Sequence, residues 1–222
     1  DVNFGSDVLS FAIEQRREEV DSSMNYSVKA RDLMGAMLSY ALRTGDWSAL
    51  AVLRTDHNSQ FGSHTNWSLS GGYQFTPDWR AVLSSGTSFQ APSFNQLYYP
   101  GFGNAALTPQ QNQSNEIGLK YRHGNVNVEA TVYQNDVRGF INPSTNVQSA
   151  LAILRGLSLS GTWQIGASQM SASYDYADPR TQPNNLRLLR IARHVTNFRI
   201  QHQFSDVSVF SELKWSSDRE DN

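Results

Sequence analysis

The sequence predicts an all-β fold, with antiparallel transmembrane β-barrel strands that number about 11. Three observations lead to this prediction. Apolar and polar residues alternate along most of the chain, tight turns alternate with long polar loops, and aromatic residues gather near both ends of the predicted strands. Because successive side chains of a β-strand point to opposite faces, each segment presents one apolar and one polar face.

The predicted strands share a period of two. In one of them, Trp67, Leu69 and Tyr73 alternate with Ser68 and Ser70. The same alternation recurs along the chain, and no helical pattern of useful length competes with it. It predicts strands near residues 5–17, 32–43, 46–56, 65–76, 78–90, 113–122, 125–141, 152–164, 167–178, 190–204 and 206–217.

The connections between these strands differ in length in a regular way. Tight turns rich in Gly, Pro and Asp are predicted at residues 44–46, 76–78, 123–124, 165–166 and 205–206. Long polar stretches lie between them, near residues 18–31, 57–65, 90–113, 142–151 and 178–190. Short turns at one rim and long loops at the other are typical of an outer-membrane barrel, with the long loops outside the cell.

The aromatic residues form two predicted bands. One band lies beside the short turns and contains Trp47, Phe75, Trp79, Tyr121, Trp163 and Phe204. The other lies toward the long loops and contains Trp67, Phe89, Tyr174, Tyr176 and Trp215. Amphipathic rings collect where lipid meets water, so two bands favour a membrane barrel. A soluble β-barrel binding module, with its apolar face turned inward, remains the alternative from the pattern alone.

Composition excludes several classes of function. The net charge is −2 without clustered basic residues, so nucleic acid is not an expected partner. No segment approaches the roughly 20 apolar residues of a membrane-spanning helix. There is no cysteine, which excludes disulfides and thiolate metal sites. We find no convincing catalytic or metal-ligand pattern and therefore expect neither an enzyme nor a bound cofactor.

Particular motifs resemble a known family. The stretch from Ser85 to Lys120 contains Gly-Thr-Ser-Phe-x-Ala-Pro, then Leu-Tyr, Gly-Asn-x-x-Leu-x-Pro and Ser-x-Glu-x-Gly. This order resembles the late barrel of TonB-dependent outer-membrane receptors. Residues 54–62, 133–141 and 173–192 resemble, more narrowly, the cobalamin (vitamin B-twelve) transporters of that family. Ser158 is a departure, because the family usually has Glu at this position.

The resemblance implies an architecture and a set of partners. Receptors of this kind resemble plugged barrels of about 22 strands. Residues 1–222 would then be a partial barrel domain that lacks the plug domain and the closing strands. The implied location is the outer membrane of a Gram-negative bacterium. The implied partners are the lipid bilayer and lipopolysaccharide, cobalamin, and the TonB system acting through the plug.

Three other functions remain open. The nearest is a receptor for a ferric siderophore or haem, since such receptors share the general motifs. A surface receptor for a phage or a bacteriocin is a second possibility, and a soluble binding module is the third. Calcium orders external loops in the resembled family, but we cannot assign its ligands to residues of this chain.

Candidate site residues fall into two groups. The resemblance and the mixture of aromatic, amide and charged groups suggest ligand contacts on the external loops, at Asn95, Gln96, Tyr98, Tyr99, Asn104, Asp178 and Arg180. The alternation predicts a second group that points into the lumen and faces the plug: Glu116, Lys120, Arg122, Glu129, Asp175, Arg199, Glu212 and Lys214. For Arg180, simple pairing with Asp178 is the alternative.

Overall fold

A computed structural model describes residues 1–219, so the last three residues of the charged tail 218–222 lie outside the described part. It confirms the all-β prediction. The strands are β1 (Val2–Phe4), β2 (Asp7–Glu19), β3 (Ala30–Thr44), β4 (Trp47–Asn58), β5 (Gly62–Gln74), β6 (Trp79–Gln90), β7 (Gln110–His123), β8 (Val126–Ile141), β9 (Gln148–Ile165), β10 (Ser168–Gln182), β11 (His194–Phe204) and β12 (Val207–Ser216). One short helix, α1 (Phe94–Tyr98), lies between β6 and β7.

All twelve strands form one antiparallel sheet in which each strand pairs with the next in sequence. In the described residues the sheet is open, with β1 and β12 at its two edges. The register is regular: Leu83 of β6 lies opposite Ile117 of β7, which lies opposite Val132 of β8. Because residues opposite each other share a face, the alternation read from the sequence continues from strand to strand.

The strand count was too low by one. Strands β2 to β12 correspond to the eleven predicted strands, and β1 is additional. A tight turn containing Gly5, whose φ is +65°, joins β1 to β2. With only three residues, β1 is too short to show a period of two.

The two rims of the sheet differ as predicted, but some strands extend further than expected. Long connections remain at residues 20–29, 91–109 and 183–193. The predicted long loop at 57–65 is wrong, because only residues 59–61 connect β4 to β5. The polar sequence there continues the hydrogen-bonded ladder instead of leaving it, so polarity alone was a poor guide to where the strands end.

The apolar face of the sheet is exposed. Phe11, Ile117 and Leu213 are 63%, 61% and 67% exposed. Monomeric soluble proteins rarely expose apolar surface on this scale, whereas a transmembrane barrel turns it toward lipid. Both aromatic bands lie on this same face by register. The apolar face therefore faces the membrane, and the polar face lines the lumen.

The buried apolar side chains lie mainly at the rim of the long loops. They are Tyr26, Leu97, Leu107, Ile141, Ala152 and Leu188. The loops, and not the strands, thus hold most of the buried core of residues 1–219. In the same residues, no helix has the length and hydrophobicity to cross a membrane.

External loops and polar wall as the candidate functional site

The loop between β6 and β7 contains a capped helix. Ser93 begins α1 with a capping box: its hydroxyl accepts a hydrogen bond from the Gln96 backbone, 3.2 Å away, and its own backbone N–H donates to Oε1 of Gln96 at 2.9 Å. This reciprocal pair satisfies two N–H groups that a helix end leaves unpaired. The local sequence Ser-Phe-Asn-Gln encodes the motif, so the loop has its own internal order.

A small apolar core holds this loop against its neighbours. Leu97 and Leu107 from the loop cluster with Ile141, the last residue of β8. Phe61 and Tyr98 pack against this cluster, and Phe61 belongs to the β4–β5 connection. Two external connections and the end of β8 are therefore joined by buried apolar surface at the long-loop rim.

Arg31 of β3 ties the same loop to the barrel wall. Its side chain is 9% exposed. Nε donates to Oε2 of Glu18 at 2.6 Å, and one terminal nitrogen donates to the carbonyl oxygen of Pro92 at 2.8 Å. The guanidinium carbon lies 5.0 Å from the centre of the Phe94 ring. A buried charge needs such partners, so Arg31 fixes the start of the loop to β2 and β3.

Five of the predicted ligand residues lie together on this loop. Asn95, Tyr99 and Asn104 are exposed, whereas Gln96 and Tyr98 are partly buried. Gln96 belongs to the capping box, and the Tyr98 hydroxyl accepts a hydrogen bond from the side-chain amide of Gln60. Gln96 and Tyr98 therefore have structural contacts, and so has Asn95, whose Oδ1 accepts a hydrogen bond from the Tyr26 hydroxyl at 2.6 Å. Tyr99 and Asn104 have the greater freedom to meet a ligand.

Asp178 and Arg180 do not join that group. Both lie within β10, so their expected place in a loop is wrong. Asp178 is opposite Arg155 and two residues from Tyr176, which puts it on the lipid-facing side of the sheet by alternation. Arg180 Nε lies 2.8 Å from Asp178 Oδ2, and Arg193 contacts Oδ1 at 3.1 Å. The pairing proposed as the alternative role of Arg180 is thus present.

The predicted lumen residues share the polar face. The register of β7 to β12 places all eight on the side opposite Ile117 and Val132. Several of them pair with each other across adjacent strands. Lys120 Nζ lies 3.0 Å from Glu129 Oε1, and an Arg199 nitrogen lies 3.5 Å from Glu212 Oε2.

Two further lumen residues have uncharged partners. The Ser158 hydroxyl donates to Asp175 at 2.6 Å. Arg122 Nε donates to the side-chain oxygen of Asn127 at 2.8 Å. A Ser at position 158, where the resembled family usually has Glu, therefore bonds the carboxylate opposite it.

The polar face carries a second charged network, which the candidate residues predicted from the sequence do not include. One terminal nitrogen of Arg54 lies 2.6 Å from Asp56 Oδ1 and 2.9 Å from Glu14 Oε2, which joins β4 to β2. The intervening β3 has Gly35 here, whose absent side chain leaves room for the guanidinium group. The alternation along β4 could have predicted this network, because it places Arg54 and Asp56 on the polar face.

Residues 1–219 contain no group of three His, Cys, Asp or Glu side chains that could hold a metal ion. Most of the acidic residues described on the polar wall instead pair with basic ones, and Asp175 bonds Ser158. The site therefore offers binding surfaces: an ordered external loop cluster above a charged, hydrogen-bonded wall.

The fold and this site match a described family. The model of the TonB-dependent receptor-like β-barrel matches residues 4–222. The chain belongs to this family. TonB-dependent receptors are outer-membrane proteins, which places this receptor segment in the outer membrane and agrees with its exposed apolar face.

Curated relatives of this receptor segment include two vitamin B12 transporters named BtuB. The transporter of Photobacterium profundum is 28% identical over 208 residues, which cover 87% of this chain and 34% of the relative. That of Vibrio vulnificus is 27% identical over 208 residues, covering 89% of this chain and 32% of the relative. The receptor segment thus spans about a third of the length of these relatives.

A solved structure of a ferric enterobactin receptor, PfeA of Pseudomonas aeruginosa in a mutant form, resembles the receptor segment in fold. The TM-score is 0.77 with 16% sequence identity, over 96% of this chain and 39% of the other. At this identity the likeness concerns the fold alone. It supports the assignment of the twelve strands to one side of a larger barrel wall.

Proposed function

We propose that this chain is part of the wall of a TonB-energised outer-membrane importer of cobalamin. The observation that carries the proposal is the similarity to two vitamin B12 transporters along 87% and 89% of the chain. The likeness to a ferric enterobactin receptor rests on the fold at 16% identity and therefore says little about the ligand.

The ligand would bind first at the external loops. Asn95, Tyr99 and Asn104 present two amides and an aromatic ring on an exposed surface, held in place by the buried contacts of Leu97 and Leu107. Amide and aromatic groups suit a large amphipathic ligand that carries amide arms. A preformed loop lowers the entropic cost of ordering on binding.

Import would follow without chemistry on the ligand, so the protein would not be an enzyme. The polar wall would hold the plug through charged groups such as those of Lys120, Glu129 and Arg199. These groups already pair within the wall, with distances of 3.0 and 3.5 Å for the two ion pairs. Because half-exposed pairs of this kind contribute only about 0–1 kcal/mol, they can exchange partners at little cost when TonB pulls on the plug.

Uptake by cells that express the complete gene tests this proposal. We expect accumulation of radiolabelled cobalamin that depends on an intact TonB system. Substituting the exposed pair Tyr99→Ala and Asn104→Ala should weaken binding, whereas Asn115→Ala, on the lipid-facing side of β7, is the control. Uptake of ferric siderophores or haem without cobalamin uptake would contradict the proposal and favour the iron-receptor alternative.

A further inference from the structure

The pairing of β5 with β6 stops before either strand ends. The ladder runs from Gln74–Arg80 to Ser68–Gly86. Beyond it, β5 continues to pair with β4 as far as Gly62, and β6 continues to pair with β7 as far as Gln90. The two strands therefore separate toward the long-loop rim and form a fork in the wall.

The fork has a defined base. At Gly86, a β-carbon would lie 2.8 Å from the carbonyl oxygen of Trp67. A side chain at this position would therefore push the backbones of β5 and β6 apart. Just above, the backbone N–H of Trp67 donates to the hydroxyl of Thr87 at 3.2 Å instead of to the backbone of β6. A side chain thus replaces the ladder bond where the strands part.

An aromatic pair lies inside the fork. The His64 and Phe89 rings stack with their centres 3.7 Å apart and an angle of 19° between their planes. Nε2 of His64 lies 3.1 Å from the carbonyl oxygen of Phe61, which holds the imidazole in place. The stacked pair offers a flat apolar surface at one side of the opening.

The cleft at the fork has a volume of about 290 Å³. Besides the stacked pair, its lining includes the side-chain amides of Gln111 and Gln113, and the oppositely charged Asp136 and Arg138. These four side chains lie on the same side of the wall as Ile117 and Val132. They offer hydrogen-bond donors and acceptors to the hydroxyl groups of a ligand.

These features select a class of ligand. The volume falls at the small end of ligand pockets, which is too small for a molecule the size of cobalamin. The one acidic and one basic side chain leave no net charge, so a neutral ligand is favoured over an anion. A flat aromatic surface beside several amides suits a ring that has an apolar face and hydroxyl groups around its edge.

We propose that the β5–β6 fork is a binding site for one neutral sugar ring, separate from the site of the imported ligand. Gln111 and Gln113 lie on the same side of β7 as Ile117, so the cleft opens on the lipid-facing side of the wall. The cleft lies toward the long-loop end of the strands, farther from the short turns than the apolar residues that face lipid. The sugar can come from the head group of an outer-leaflet glycolipid or from a free saccharide.

Saturation-transfer NMR on the complete purified receptor tests the site. Two probes distinguish the sources: dephosphorylated core oligosaccharide released from lipopolysaccharide, and maltotriose as a free saccharide. We expect at least one probe to bind. Phe89→Leu removes the flat ring and Gln113→Leu removes an amide of the lining, and each should weaken binding about tenfold or more.

Asn115→Leu is the matched control, because it also replaces an amide by leucine on the lipid-facing side of β7, but outside the cleft, and it should leave binding unchanged. The shift in gel mobility on heating verifies that each variant has assembled, and if one variant fails to assemble the other still decides. Binding of the core oligosaccharide alone would assign the site to a lipid head group, and binding of maltotriose to free saccharides. Absence of binding by both probes, or unchanged binding in an assembled Phe89 or Gln113 variant, would overturn the proposal.

Discussion

The Tyr26 hydroxyl donates a hydrogen bond of 2.6 Å to Oδ1 of Asn95, although 69 residues separate the two in sequence. Tyr26 is 5% exposed. Its ring also packs edge-to-face with the ring of Tyr99, with 6.4 Å between the ring centres. The β2–β3 loop is thus fastened to the loop that carries the proposed ligand contacts. A substitution at Tyr26 should therefore alter binding without touching the ligand.

Tyr26→Phe removes this hydrogen bond but keeps the ring. We expect a loss of about 1 kcal/mol in the docking of the two loops, because one partly buried hydrogen bond is removed. Hydrogen exchange at residues 91–109 should rise in the complete receptor. Tyr40→Phe is the control, since it removes a similar 2.7 Å bond to Asp7 near the opposite rim. An equal increase in both variants would refute the specific link.

The two faces of β6 should respond oppositely to charge. Leu83→Arg places a cation on the lipid-facing side, where Leu83 is 59% exposed, and should destabilise the barrel by about 2–4 kcal/mol. Ser84→Arg puts the same side chain on the polar side and should have a far smaller effect. Unfolding in lipid vesicles by denaturant measures both. Equal destabilisation would mean that the faces are wrongly assigned.

Gly156 of β9 should not tolerate a side chain. A β-carbon there would collide with the hydroxyl of Tyr133 and with the backbone carbonyl oxygen of Tyr176, and the backbone cannot move away cheaply. Gly156→Ala should lower the fraction of assembled receptor. Gly71→Ala is the matched control, because its nearest neighbour, the Ser48 carbonyl oxygen, is 4.0 Å away. Heat-modifiable gel mobility reports assembly, and normal assembly of the Gly156 variant would contradict the packing.

The Lys120–Glu129 pair should contribute little to the stability of the wall. Both side chains are nearly half exposed, at 46% and 43%. We expect Lys120→Met to change the free energy of unfolding by less than about 1 kcal/mol. The charge-exchanged double variant Lys120→Glu, Glu129→Lys should be as stable as the natural pair. If the exchange preserves stability but stops uptake, the plug must interact with these charges at specific positions. The proposed docking role requires this.

Local alternation was enough to predict the two faces of the sheet. It placed Lys120 and Glu129 on the polar wall and Ile117 on the lipid side, because a regular strand fixes the side of every second residue. The ends of the strands were less predictable. Asp178 and Arg180 are polar, yet they continue β10 through backbone pairing that polarity does not reveal.

Contacts between distant loops could not be predicted from one sequence. Arg31 of β3 donates to the carbonyl oxygen of Pro92 across 61 residues, and this bond depends on how the β6–β7 loop folds over the rim. The fork at Gly86 has a similar origin. Both β5 and β6 look like ordinary strands, and only their register shows that their pairing ends at Ser68.

The most direct test of the central claim is equilibrium binding to outer membranes from cells that express the complete gene. Radiolabelled cobalamin should bind saturably, and excess unlabelled cobalamin should displace it whereas ferric enterobactin and haem should not. Tyr99→Ala together with Asn104→Ala should weaken this binding, and Asn115→Ala should not. Membranes that contain the assembled receptor but bind an iron chelate in place of cobalamin would contradict the account.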